Sequence, residues 1–180
     1  MIRSLAITTC LATILMAGSA LAATSATQKN WYIGADGGVT WLRDSDTGGG
    51  GNVSLGYRFN DWRVEAEAGY HGADNTHYFS YMGNIYYDFN SAIYHPTASW
   101  KVAPYLGAGL GDAAVHYGSS SFSTTFHHHS NEVAYQGMAG LNLTAASMPN
   151  TDWTLGYRYL GTDNHNLHSN NIEAGLRLHF

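Results

Sequence analysis

Histidine is the residue with the widest chemical reach in this chain. Ten occur among 180 residues. Eight of them, His71, His77, His116, His127, His128, His129, His165 and His168, fall in stretches that read as loops rich in Asn, Ser and Thr. Neutral imidazole is a ligand for zinc, copper and nickel, so His127, His128, His129, His165 and His168 form the candidate divalent-metal set. The same rings would gain charge near about pH 6 and make those loops cationic in acid. A third reading stays open: histidine is simply part of how solvated loops are composed. His128 and Ser130 also pair a base with a hydroxyl, as nucleophilic acyl transfer requires. Glu132, which reads as inward and lies only two residues past that serine, is badly placed to orient His128. His168-Ser169-Asn170 has the wrong spacing for such a pair. Asp44 and Asp46 lack the acidic ladder and terminal Glu of a calcium loop. The run Gly48 to Gly51 meets no helix, so it reads as a flexible tip rather than a phosphate cradle.

Those residues need a scaffold, and the N-terminus says where it is built. Arg3, the apolar run Leu5 to Met16 and the small residues Gly18 to Ala22 are the pattern of a secretory signal peptide, with cleavage expected after Ala22. The only cysteine, Cys10, would leave with it. The expected mature chain, 23–180, is one domain without thiol chemistry or disulfides, exported from a bacterial-type cell.

Composition narrows the class. Charged residues are 12% of the chain, against ~25% in soluble domains. Aromatics are 13%, with 13 Tyr, and there are 21 Gly. So aromatic a chain does not stay disordered. After the signal no apolar run is long enough for a membrane helix. A formal charge of −5 leaves no basic footprint for nucleic acid.

The period of the pattern is two. Trp31, Ile33, Ala35, Val39 and Trp41 alternate with Tyr32, Asp36 and Thr40. Val53, Leu55, Tyr57 and Phe59 oppose Asn52, Ser54, Gly56 and Arg58. Trp62, Val64, Ala66, Ala68 and Tyr70 oppose Arg63, Glu65, Glu67 and Gly69. Five more segments, 79–89, 102–110, 132–143, 153–160 and 172–180, behave alike. Throughout these segments the apolar face carries no charge. The other face carries Asp36, Arg58, Arg63, Glu65, Glu67, Asp88, Glu132, Arg158, Glu173 and Arg177.

Which face looks outward is decided by two features. Aromatics close both ends of the apolar face: Trp31, Phe59, Trp62, Phe89, Trp153 and Phe180 at one, Trp41, Tyr70, Phe79 and Tyr159 at the other. Such girdles fit membrane interfaces. Connections also alternate between tight (Asn60-Asp61) and long (111–131), the outer-membrane pattern. A soluble barrel with its apolar face inward is the alternative. The expected fold is all-β: an eight-stranded antiparallel up-and-down transmembrane β-barrel. Backbone polar groups in hydrocarbon must pair, so the wall must close. Eight strands leave an interior that side chains fill. The ten charged residues above are then a lumen network, with inward glycines making room for them.

Leu155-Gly156-Tyr157-Arg158-Tyr159-Leu160, the ending Ala174 to Phe180 and the run Pro104 to Gly111 resemble strands of the OmpA-like and opacity-protein-like outer-membrane β-barrel family. The resemblance covers essentially the whole mature chain. It implies that Phe180 belongs to the strand read by the barrel-assembly machinery. It also implies contact with outer-membrane lipid and lipopolysaccharide, no cofactor, and no cell-wall-binding domain after the barrel. Turns 60–61, 90–101 and 144–152 are expected in the periplasm, with Pro96 and Trp100 packing the second onto the rim. Loops 43–51, 71–78, 111–131 and 161–171 are expected outside. Some barrels of this size deacylate or acylate lipid A, but the deacylase motif belongs on the seventh strand, where this chain has Tyr157-Arg158-Tyr159. The expected role is therefore non-enzymatic: an envelope structural and surface protein whose loops make adhesive contacts, including with host ligands. A narrow channel is the alternative.

Overall fold

Alternation along the chain becomes a closed wall. The computed structural model describes residues 30–42, 47–73, 76–117, 132–163 and 168–180. Residues 1–22, expected as a signal peptide, lie outside the described residues. Among the described residues nine strands form: β1 (Trp31–Leu42), β2 (Thr47–Phe59), β3 (Trp62–Ala73), β4 (Thr76–Asp88), β5 (Tyr94–Thr97), β6 (Trp100–Tyr117), β7 (Glu132–Ala145), β8 (Thr151–Thr162) and β9 (His168–His179). Each wall strand pairs antiparallel with its sequence neighbour, β4 pairs with β6, and β1 pairs with β9. The ring of eight therefore has no free edge along its shared length, as hydrocarbon demands.

The register sets the tilt. Starting at Trp31, the paired residues run Tyr57, Val64, Ile85, Ala108, Gly137, Tyr159 and Asn170, and return to β1 at Trp41. The circuit closes ten residues up the strand (41 minus 31). A stagger of that size tilts eight strands by ~35–45°. Ten residues at ~3.3 Å each, so tilted, rise roughly 24 Å, close to the ~25 Å apolar band of such barrels. Trp31 and Trp41 thus stand at the two interfaces.

Exposure follows the alternation. Ile33, Val53, Leu55, Val64, Ile85, Leu106, Leu155 and Ile172 are exposed, while Arg63, Glu65, Glu67, Asp88, Arg158, Glu173 and Arg177 are buried. This is a soluble protein turned inside out. Trp31, Phe59, Trp62, Trp153 and Phe180 ring one end, and Trp41, Tyr70 and Phe79 the other, all exposed. Trp62 packs edge-on to Tyr87, with ring centroids 5.0 Å apart.

Four expectations about the ends are corrected. The run Gly48 to Gly51 is strand, paired with Thr40 to Gly37, rather than a flexible tip. With no side chain, Gly50 admits the His71 ring directly above it. His71, His77 and His116 are likewise strand residues, because β3, β4 and β6 run further outward than the apolar alternation alone indicates. β6 continues to Tyr117, past the expected loop start at 111. At the Trp31 end, 90–101 is more than a plain turn, and it meets the neighbouring turns at both of its ends, where Asn90 Nδ2 donates to Asp61 Oδ1 at 2.9 Å and the Ala146 N–H donates to the Ser99 carbonyl at 2.9 Å. A 3-10 turn at Asn90–Ala92 leads into β5, which pairs with the start of β6 and projects as an exposed hairpin.

Candidate functional site: a filled lumen and an outer rim

The inward face brings together charges that are far apart in sequence. Near the middle of the lumen Arg158 of β8 is the hub. Its Nη1 and Nη2 donate to the two oxygens of Glu67, the second at 3.0 Å, and its Nε donates to Glu173 Oε2 at 2.9 Å. Asp36 lies 3.9 Å from the same guanidinium and accepts from Asn52 Nδ2 at 2.5 Å. Gln136 and Asn84 complete the shell: Arg158 donates to Gln136 Oε1 at 3.0 Å, and Gln136 donates to Asn84 Oδ1 at 2.7 Å. A two-pronged guanidinium–carboxylate contact fixes orientation as well as charge.

A second cluster fills the half of the lumen nearer Trp31. Arg63 is fully buried and donates from Nε to Asp88 Oδ2 at 2.8 Å and from Nη1 to the Tyr32 hydroxyl at 3.1 Å. That hydroxyl donates onward to Glu65 Oε2 at 2.8 Å, and Tyr86 donates to Glu65 Oε1 at 3.1 Å. The Arg63 guanidinium also sits 4.3 Å above the Tyr86 ring, a cation–π contact in a desolvated setting. Arg177 donates to Asn142 Oδ1 at 2.7 Å, and Asn142 donates to Asp88 Oδ1 at 3.0 Å. At the mouth, Asp152 collects Arg58 at 3.2 Å, Thr144 at 2.6 Å and His179 at 2.8 Å.

The outer end of the lumen is polar without a salt bridge among its described residues. Thr40 donates to Asn171 at 2.6 Å, and the Tyr78 and Ser169 hydroxyls are hydrogen-bonded at 3.1 Å. His71 is buried there, stacked on Tyr78 and hydrogen-bonded to Asn52 Oδ1 at 3.0 Å. Between the two ionic clusters lies a cavity of about 20 Å³, lined by Asp36, Glu65, Tyr105, Arg158 and Arg177 among others. That is about enough for one water.

Nine of the ten expected lumen residues take part in these contacts. Glu132 opens β7, but its side chain lies outside the described residues. Sequence reading missed Asp152, which it placed in a turn, and the tyrosines Tyr32, Tyr86 and Tyr105. Their phenol rings were legible only as aromatics on the polar face. The inward glycines serve those rings more than the charged chains: a Cβ at Gly56 would fall on the Tyr32 ring, and one at Gly107 on Tyr86.

Of the candidate metal set, His127, His128, His129 and His165 lie outside the described residues. His168 stacks on Tyr159 and contacts its hydroxyl at 2.7 Å. The neighbouring Ser169 points the other way, into the lumen with Tyr78 and Asn171, since consecutive strand residues face opposite sides. His168 and Ser169 therefore do not form a base–nucleophile pair.

The extension of β6 changes one further reading. Asp112 lies past the alternating segment 102–110 and is exposed on the outward row, between Tyr81 of β4 and Val133 of β7. Among the described residues of the eight wall strands it is the one charged side chain on that face. The apolar wall thus carries a carboxylate at the outer aromatic belt.

A family model for the outer membrane protein beta-barrel domain matches residues 9–180. Among solved structures, Neisserial surface protein A is similar at 25% identity and a TM-score of 0.64, covering 83% of this chain and 97% of that one. The N-terminal β-barrel domain of Pseudomonas aeruginosa OprF is 16% identical, with a TM-score of 0.49 and coverage of 84% and 98%. The outer membrane enzyme PagL is 16% identical, with a TM-score of 0.45 and coverage of 82% and 98%. No curated protein matches by sequence. Closed ring, inverted burial, aromatic belts and a match over nearly the full length agree: this chain belongs to the outer membrane protein β-barrel family.

Proposed function

We propose that this protein is a non-conducting envelope scaffold whose loop-bearing end makes surface contacts, adhesion among them. The side-chain-filled lumen supports the reading. Two ionic clusters and a polar cap occupy the interior, and the space left between the clusters is about 20 Å³. Opening a path for ions would mean separating Arg158 from Glu67 and Arg63 from Asp88, each a buried pair. Likeness to a Neisserial surface protein supports a role at the cell surface. The wall then contacts outer-membrane lipid and lipopolysaccharide, and Phe180, whose N–H donates to the Trp31 carbonyl at 2.9 Å, ends the strand offered to the assembly machinery.

Purified protein in planar bilayers is expected to give no discrete conductance steps. Reproducible steps would favour the narrow channel instead. The surface role has its own test, with bacteria displaying either the full chain or a form whose residues 118–131 are replaced by a short Gly-Ser turn. Adhesion to matrix-coated or cell-coated surfaces is expected to fall with the replacement while the boiled-versus-unboiled gel shift persists. Equal adhesion by both forms, and by cells lacking the protein, would remove the adhesive role.

A further inference from the structure

The hairpin at the Trp31 end carries aromatic rings on one side. Trp100 and Leu106 are exposed and share the outward parity of β6. Tyr94 of β5 is the cross-strand partner of Val102, so it stands on that same side. At 69% it is as exposed as the lipid-facing Leu110. The hairpin is also held in place. Phe89 N–H donates to the Pro104 carbonyl at 2.9 Å, Asn90 is tied to Asp61, and Ser99 to Ala146.

Its depth follows from the register. The paired row that starts at Trp31 reaches β6 at Ala108, halfway round the ring. With a ten-residue closure, that halfway point is about five residues up the strand. The level of Trp31 on β6 is therefore near Ala103, and Trp100 lies beyond it. Three residues at ~3.3 Å each, tilted ~40°, span roughly 7 Å. The headgroup layer on each side of a bilayer is ~5–8 Å deep. Trp100 and Tyr94 thus reach into that layer and do not clear it. They also continue the aromatic belt, where the Tyr87 ring lies 5.0 Å from both Trp62 and Phe89 and Tyr87 pairs with Leu106.

We propose that the 93–101 hairpin is an interfacial anchor lying in the phospholipid headgroup layer at the Trp31 end. The rings of Tyr94 and Trp100 sit among the glycerol and phosphate groups and fix how deep the barrel rides. Tyr and Trp suit that layer because each joins an apolar ring to one hydrogen-bonding group. The segment 93–101 contains Lys101 and no carboxylate, so nothing in it repels phosphate. Pro96 withholds an N–H from β5, which makes this edge a poor template for a partner's strand. That the leaflet here is phospholipid and not lipopolysaccharide rests on the loop-bearing end being the cell-surface end. Phospholipid vesicles test the hairpin without that reading, so the two can fail separately.

Trp100→Phe keeps a ring and removes one indole. The difference in tryptophan emission between wild type and this variant therefore isolates position 100. Purified protein is folded into phosphatidylcholine vesicles whose lipid carries a nitroxide on the headgroup or at the far end of an acyl chain. The bilayer midplane lies roughly 15 Å below the headgroups. The headgroup label is expected to quench the isolated emission several-fold more than the chain-end label, and aqueous acrylamide is expected to quench it weakly. Tyr94→Trp adds an indole on the same side and should give the same order, with the gel shift showing that each variant folds. Strong acrylamide quenching without a lipid effect would put the hairpin in water and overturn the proposal. Stronger quenching by the chain-end label would bury it in hydrocarbon, with the same consequence. Protection from all three quenchers would give this face to a second copy of the barrel and overturn it too.

Discussion

Arg158→Met is expected to destabilise the barrel by about 3–5 kcal/mol, because it strands buried carboxylates rather than merely removing a contact. Glu67 and Glu173 both accept from this guanidinium, and Asp36 lies 3.9 Å away. Methionine fills much of the volume, so a cavity contributes little. The lost energy is that of leaving carboxylates with amide donors alone. Reversible urea unfolding in lipid vesicles, followed by tryptophan fluorescence, measures it. Arg158→Met with Glu67→Gln should recover part of the loss, since one of the stranded charges is gone. Arg158→Lys should recover less than its charge suggests, because an ammonium cannot make the two-pronged contact with Glu67. A methionine variant as stable as wild type would mean that the hub is dispensable and that the packed lumen rests on something else.

Gly56→Val should be nearly as damaging for a different reason. Gly56 is the cross-strand partner of Tyr32, and a Cβ at position 56 would overlap the Tyr32 ring. Tyr32 is fully buried, donates to Glu65 and accepts from Arg63. Overpacking of this sort costs about 1–3 kcal/mol, and displacing the phenol also breaks two buried hydrogen bonds. Gly83→Ala is the matched control. Its added methyl points to lipid and meets one carbonyl at ordinary contact distance, so a change within ~0.5 kcal/mol is expected. Equal effects at 56 and 83 would show that backbone freedom, not the ring above Gly56, is what matters.

Some of this contrast was visible before the structure. Alternation over 52–59 already placed Gly56 on the polar face, and the alternation over 31–42 did the same for Tyr32. That they stack on each other was not visible, because it depends on pairing Tyr32 with Gly56 and no other residue of β2. The outer ends of the strands were harder still. Glycine and histidine carry almost no inward or outward preference, so alternation fades at Gly48 to Gly51 and after Leu110, although the ladder continues through both. The reading of Asp112 failed there: a strand read as ending at Leu110 leaves its next carboxylate in a loop. Asp152 failed at the opposite end, where one residue of strand separates a turn position from the lumen mouth.

What the amino-acid order determines by itself is two-sidedness. Period-two alternation, charges confined to one face of the apolar segments and aromatics at both ends select a membrane-spanning wall, and the absence of water in hydrocarbon forces that wall to close. These are local properties, legible a few residues at a time. Which charges meet is not local. Arg158 and Glu67 belong to β8 and β3, which are not neighbours in the wall, and they touch only across the lumen. Their contact depends on the number of strands and on the ten-residue stagger with which the ring closes. Closure fixes every cross-lumen distance at once, so the partners could be named only from the tertiary structure.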